Sequence, residues 1–135
     1  MSILKKPYEI SVYEDIWDEE LEKFKEQKLI TIGSHNMTYK GKAIEPILTR
    51  NANGSKTFSF KIYRYFYDET RGRVENPFYS YLISERKVKL HYNNKWYDFI
   101  IKNINEDSSN YQYTYELEDA LVHELSKNGF GVTFD

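Results

Sequence analysis

Cysteine is absent from all 135 residues. That excludes a disulfide framework and any thiolate-held metal, and it fits a chain made in a reducing cytoplasm. No run of 18 apolar residues occurs, and residues 1–7 carry two lysines without the apolar stretch of a signal peptide. The expectation is therefore a soluble chain with no visible export signal and no membrane insertion. Charge of one sign is also lacking: 19 basic residues stand against 21 acidic ones, spread along the chain for a net charge of −2. A general phosphate-binding surface, and with it direct sequence-specific nucleic-acid recognition, is not expected. There is no glycine-rich phosphate loop, internal repeat, low-complexity tract or linker. A single domain over 1–135 is expected, long enough to remove roughly two thirds of its unfolded surface from water.

What the chain does have is 13 tyrosines and 8 phenylalanines, a composition suited to pleated, half-buried surfaces. The pattern is most constrained over residues 88–125. Val88, Leu90 and Tyr92 alternate with Lys87, Lys89 and His91; Asn93-Asn94 interrupts; and Trp96-Tyr97-Asp98-Phe99-Ile100-Ile101 follows. Asparagine tolerates positive φ, so this reads as a β-hairpin with a tight turn. After a polar break at residues 105–110, Tyr111, Tyr113, Tyr115 and Leu117 share one face of a third strand, because a period of two would scatter around a helix. Asp119 can cap a short helix bearing Ala120, Leu121 and Leu125, with Asn128-Gly129 as its stop.

From the start of the chain, Tyr8, Ile10 and Val12 mark a first strand of modest length. Residues 14–28 are dense in charge, and Trp17, Leu21, Phe24 and Lys28 sit at helical spacing, so an amphipathic helix and an extended segment both fit. Residues 29–32 form a compact β-rich run stopped by Gly33-Ser34. Residues 43–50 contain Pro46, which cannot donate to a ladder, so that strand should begin after the proline or lie at an edge. Turn chemistry at 51–54 joins it to a strand with Phe58, Phe60 and Ile62 on one face. Residues 68–75 read as a projecting loop containing Gly72. Asn76-Pro77 opens a short helix over 77–85 with Phe78, Tyr81 and Leu82 on one side. Phe130, Val132 and Phe134 alternate as a last strand, which implies continuation of the polypeptide or pairing with another element. The fold class expected is mainly β with two short helices.

Candidate chemistry is sparse. His35, His91 and His123 fall in a loop, on the polar face of a strand and on a helix, without a second ligand at metal spacing. Glu14, Asp15, Asp18, Glu19 and Glu20 lack the alternation and glycine of a calcium loop, so a solvated face is expected. Glu106-Asp107 and Asp68-Glu69 sit in turn-like stretches, and no serine lies in a Gly-x-Ser-x-Gly turn. Asn36-Met37-Thr38 and Asn53-Gly54-Ser55 match the glycosylation pattern, but without a signal peptide they read as loops. The expectation is a protein that is not an enzyme and holds no cofactor or metal.

The aromatic run Tyr63, Tyr65, Phe66, Tyr67 must place aromatic surface on both faces of its strand. One face can enter a core. The other is a ligand platform or a contact with a neighbouring subunit, and tyrosine enrichment at interfaces favours the contact.

Several short motifs occur together in order: Ile32-Gly33-Ser34 with Met37-Thr38, Glu45-Pro46 with Arg50-Asn51, Asn53-Gly54-Ser55, Asn76-Pro77-Phe78, Glu85-Arg86-Lys87-Val88, Trp96-Tyr97-Asp98-Phe99 and His123-Glu124-Leu125-Ser126-Lys127-Asn128-Gly129-Phe130. Together they resemble the N-terminal region of tail-associated, tail-tip hub proteins of phages and prophages of low-GC Gram-positive bacteria. The resemblance runs from Tyr8 onward and is thinnest over 14–23. It implies a β-barrel similar to tail-tube and baseplate-hub domains, assembling as a homo-oligomeric ring, commonly a trimer, in the virion tail after synthesis in the host cytoplasm. Partners would be other phage tail proteins: tail-tube, distal-tail or tape-measure proteins. Longer relatives continue into peptidase-like, wall-degrading or receptor-binding portions, whereas this sequence stops at Asp135. Contacts are expected at Tyr63, Tyr65, Tyr67, Arg71, Arg73 and Trp96, and in the terminal strand at Phe130, Val132 and Phe134. The alternative from another class is a carbohydrate-binding β module that recognises cell-wall glycans through aromatics near 63–67 or Trp96-Tyr97.

Overall fold

The computed structural model describes residues 2–127, and within them the chain is mainly β. The strands are β1 (Ser2–Ile3), β2 (Tyr8–Asp18), β3 (Lys23–Ser34), β4 (Ile44–Arg50), β5 (Lys56–Tyr63), β6 (Tyr65–Asp68), β7 (Gly72–Glu75), β8 (Lys87–Tyr92), β9 (Lys95–Asp107) and β10 (Gln112–Asp119). A 3-10 turn covers Pro77–Tyr81 and one helix, α1, covers Ala120–Lys127. Eight strands form one antiparallel sheet in the order β1-β4-β5-β10-β9-β8-β2-β3, and β6 pairs with β7 separately.

Alternation along these strands sends one side chain in two inward. Ile10 and Val12, Phe58, Phe60 and Ile62, Val88 and Leu90, Phe99 and Ile101, and Tyr113, Tyr115 and Leu117 all enter a single buried cluster. A flat sheet with such a face would leave it wet. Here the sheet coils around its own apolar side, so that the Phe58 ring on β5 stacks on Phe99 of β9 at 5.4 Å although β10 runs between those strands. Phe78 and Leu82, from the 3-10 turn and its end, complete the cluster. The hydrogen-bonded ladder ends at β1 on one side and β3 on the other, so the described strands do not close into the expected barrel. A backbone bond from Ala43 N–H to Ile32 O (2.8 Å) does draw the start of β4 against the end of β3.

Residues 14–28 are extended and not helical. They belong to the long β2–β3 hairpin, whose register pairs Trp17 with Phe24. The first strand is correspondingly longer than its apolar alternation indicates. β4 neither begins after Pro46 nor lies at the edge: it starts at Ile44 and runs between β1 and β5, and the proline is tolerated because it sits where the β4–β5 register slips between Ile44 and Ile47. Asn93 and Asn94 have φ of 52° and 63°, the geometry of a tight hairpin turn between β8 and β9.

Three further expectations need correction. The helix over 77–85 is a 3-10 turn that stops at Tyr81, because the sheet captures the following backbone: Glu85 N–H donates to Ile101 O and Ile101 N–H to Arg86 O. The loop over 68–75 is largely strand. Asp68 caps its turn by accepting from Thr70 N–H, Thr70 Oγ1 and Arg71 N–H, and Gly72 takes φ of +75°. Tyr111 does not share the inward face of Tyr113 and Tyr115; it lies in the β9–β10 turn with φ of 52°, half exposed. Phe130, Val132, Phe134 and the Asn128-Gly129 stop lie outside the described residues.

Among the described residues no helix is long and apolar enough to cross a membrane.

Candidate interaction surface

The polar centre beneath this surface is Asn76. It is fully buried, and each of its side-chain atoms that can hydrogen-bond does so: Nδ2 donates to Gly41 O (2.7 Å) and Tyr63 O (2.8 Å), and Oδ1 accepts from Phe78 N–H (2.9 Å). Its own N–H donates to Arg64 O at 2.6 Å. One side chain thus ties the loop before β4, the end of β5 and the 3-10 turn into one block. That block carries the β6–β7 hairpin.

On it, arginine and tyrosine alternate. The Arg64 guanidinium lies 4.4 Å from the Tyr79 ring and 5.5 Å from Tyr65, and its Nη1 donates to Tyr113 Oη at 3.0 Å. Arg73 lies 4.0 Å from Tyr65 and 4.7 Å from Tyr111, and Tyr65 meets Tyr111 edge-on at 5.6 Å. Planar cations over aromatic faces contribute about 0.5–1 kcal/mol each at exposed sites; here Arg73 and Tyr111 are exposed, while Arg64, Tyr65 and Tyr79 are half-buried. Tyr39 packs on Phe66 and Phe78, and Lys40 Nζ donates to Tyr67 O (2.9 Å), which fastens the 35–42 loop to the hairpin. The three hydrogen bonds that cap the turn hold the Asp68 carboxyl down at about 2, with Arg71 adding an ion pair at 3.5 Å.

Of the residues expected at contacts, Tyr65 and Arg73 meet in the stack, Tyr67 and Arg71 lie on the same hairpin, and Tyr63 joins through its backbone carbonyl on Asn76. Tyr67 is the most open of the tyrosines. Trp96 does not join them. It stands at the β8–β9 turn, exposed, with His91 stacked beneath it at 4.3 Å. Sequence reasoning missed Arg64, Tyr79, Tyr111 and Tyr113 as partners in the stack. Arg64 is adjacent to the aromatic run and could have been flagged; Tyr79 and Tyr111 reach it only through tertiary placement.

Two histidines are absorbed locally. His35 packs against Tyr8 and faces its backbone, while His123 bridges Glu118 and Glu85. Burial opposes ionisation of Glu118, but hydrogen bonds from His123 and Lys102 outweigh it and hold the carboxyl below its usual range. Among the described residues no three histidine or acidic side chains converge as metal ligands.

The second exposed apolar feature is the far end of the β2–β3 hairpin. Trp17, Leu21 and Phe24 are each more than half exposed there, and Trp17 and Phe24 meet edge-on at 5.2 Å. Asp18 caps the turn by accepting from Glu20 N–H and Leu21 N–H.

Compared with protein-family models, with curated proteins and with solved structures, the chain matches none.

Proposed function

We propose that this chain is a structural module of a phage or prophage tail tip, a hub-like domain that assembles with copies of itself and docks to tail-tube, distal-tail or tape-measure proteins. The observation that carries the reading is the arginine–tyrosine stack on the β6–β7 hairpin. It is a partly exposed surface of the residue types that dominate protein contacts, set on the block that Asn76 ties together. The coiled eight-stranded sheet suits a barrel-type hub whose remaining edges are covered by neighbours in a ring, since among the described residues the ladder ends at β1 and β3, with a single backbone bond from Ala43 to Ile32 at the end of β3. The resemblance of the ordered motifs from Tyr8 onward supplies the tail-tip assignment.

The reading is tested by sedimentation and negative-stain imaging of the purified chain over a range of concentrations, alone and with tail-tube and distal-tail proteins. Rings of few subunits or a stable tail-protein complex are expected. A chain that stays monomeric and binds neither partner overturns the reading.

A carbohydrate-binding module remains the second reading, and one observation favours a particular residue for it. Tyr65 is already engaged by two guanidinium groups and by Tyr111, whereas Trp96 is open and backed by the His91 ring. Cell-wall binding that vanishes in Trp96→Ala and persists in Tyr65→Ala would support it against the hub.

A further inference from the structure

We infer that the β2–β3 arm is an intermolecular plug: its Trp17, Leu21 and Phe24 tip seats in the basic groove between the β4–β5 and β8–β9 hairpins of a second copy. The inference rests on the hub reading and names the surfaces through which copies join.

The arm is a projecting element. β2 pairs with β8 only from Tyr8 to Tyr13, so residues 14–18 and 23–27 continue past the sheet as a two-stranded ribbon. An isolated ribbon is marginal in water, and one ending in three open apolar side chains is more so. The charge around that tip is predominantly negative. Residues 14–27 hold seven carboxylates and two lysines. Asp15, Asp18 and Glu26 are paired with Lys87, Lys25 and Lys89. Among the described residues Glu14, Glu19, Glu20 and Glu22 have no ion-pair partner.

The groove is its complement in sign. About 310 Å³ in volume, it is lined by Leu48, Arg50, Lys56, Tyr92, Asn93, Lys95 and Tyr97, with no carboxylate among them. Among the described residues Arg50, Lys56 and Lys95 form no ion pair; Lys56 lies over the Tyr97 ring at 5.5 Å. Leu48 and the two tyrosines provide apolar walls, and three uncompensated cations stand at the rim.

The placement requires a second molecule. The register Tyr8↔Tyr92 to Tyr13↔Lys87 puts the root of the arm at the Lys87 end of β8 and the groove at the Tyr92 end, about 17 Å apart along the strand, and the arm leads away from the groove. A plug and a socket on opposite ends of one chain make a heterologous contact, the type that closes into rings.

The test uses charge reversal in trans. A groove variant, Lys56→Glu with Lys95→Glu, and an arm variant, Glu19→Lys with Glu22→Lys, should each associate at least tenfold more weakly than the wild-type chain in sedimentation. An equimolar mixture should recover association, because each reversed surface then meets its complement. Because the chain has no cysteine, Leu21→Cys mixed with Leu48→Cys should give a disulfide-linked dimer, and Leu21→Cys mixed with Tyr67→Cys should not. If the wild type associates but both reversed variants do so equally well, the plug and socket are wrongly assigned while the hub reading stands. If the wild type remains monomeric at every concentration, the plug and socket fall, and the hub reading falls with them only if the chain also binds neither tail protein.

Discussion

Replacing Asn76 by alanine removes two donated hydrogen bonds and one accepted one from a site with no access to water. Each ordinary bond is worth about 1 kcal/mol net, and a buried group left without a partner costs about 1–3 kcal/mol. The capping bond to Phe78 N–H alone would account for about 1 kcal/mol. The carbonyls of Gly41 and Tyr63 and the Phe78 amide all lose this partner, so the expected loss is about 3–5 kcal/mol in total. With a urea m-value of about 1–3 kcal/mol/M, the midpoint falls by at least 1 M. Asn76→Asp sharpens the test: the carboxylate keeps the acceptor for Phe78 but turns an oxygen toward two carbonyls, so it should be at least as damaging as alanine at neutral pH. Gly41 provides a coupling partner, because a Cβ there would lie 2.8 Å from Asn76 Oδ1. Gly41→Ala should be costly alone and nearly free in the Asn76→Ala background. Urea unfolding followed by tryptophan fluorescence reads all four variants. A loss below about 1 kcal/mol for Asn76→Ala would refute the claim that this side chain holds the block together, since it would equal an ordinary cap.

Phe60→Ala, which empties a fully buried site stacked on Tyr115, should cost about 3–5 kcal/mol in the same assay, and a cost under 1 kcal/mol would contradict its core placement. The Tyr115 hydroxyl is buried without a hydrogen-bond partner among the described residues, and burial pushes its ionisation upward, so Tyr115→Phe should be neutral or stabilising by up to about 1 kcal/mol in urea unfolding. Asn94→Gly relieves a positive φ in the β8–β9 turn and should raise the unfolding midpoint, by up to about 1 kcal/mol in stability. Asp68 titrates lower folded than unfolded, so its contribution to the β6–β7 turn is fully present above pH 4 and is lost as pH falls toward about 2; carboxyl NMR shifts that titrate near 4 would refute this capping role.

The β class and the β4–β5 and β8–β9 hairpins were legible because period-two alternation survives in Phe58/Phe60/Ile62 and Val88/Leu90, and each run faces one core. Asn93-Asn94 and the turn at 51–54 were readable for the same local reason: their conformations depend on the residues themselves. Residues 14–28 were not legible, since Trp17, Leu21 and Phe24 fit a helical stripe as well as a hairpin, and only cross-strand pairing chooses between them. Of the arginine–tyrosine stack, Tyr65 and Arg73 could be named from the aromatic run and the adjoining loop.

The sequence by itself determined which side chains must leave water and where the chain must turn, because hydrophobic periodicity and backbone preference act over a few neighbouring residues. Tertiary structure alone decided that Asn76 would be a buried three-way tie, that Arg64 and Arg73 would interleave with Tyr65, Tyr79 and Tyr111, and that an acidic apolar arm and a basic groove would lie at opposite ends of one strand. These depend on distances between segments far apart in the chain, which become fixed only when the sheet coils around its core.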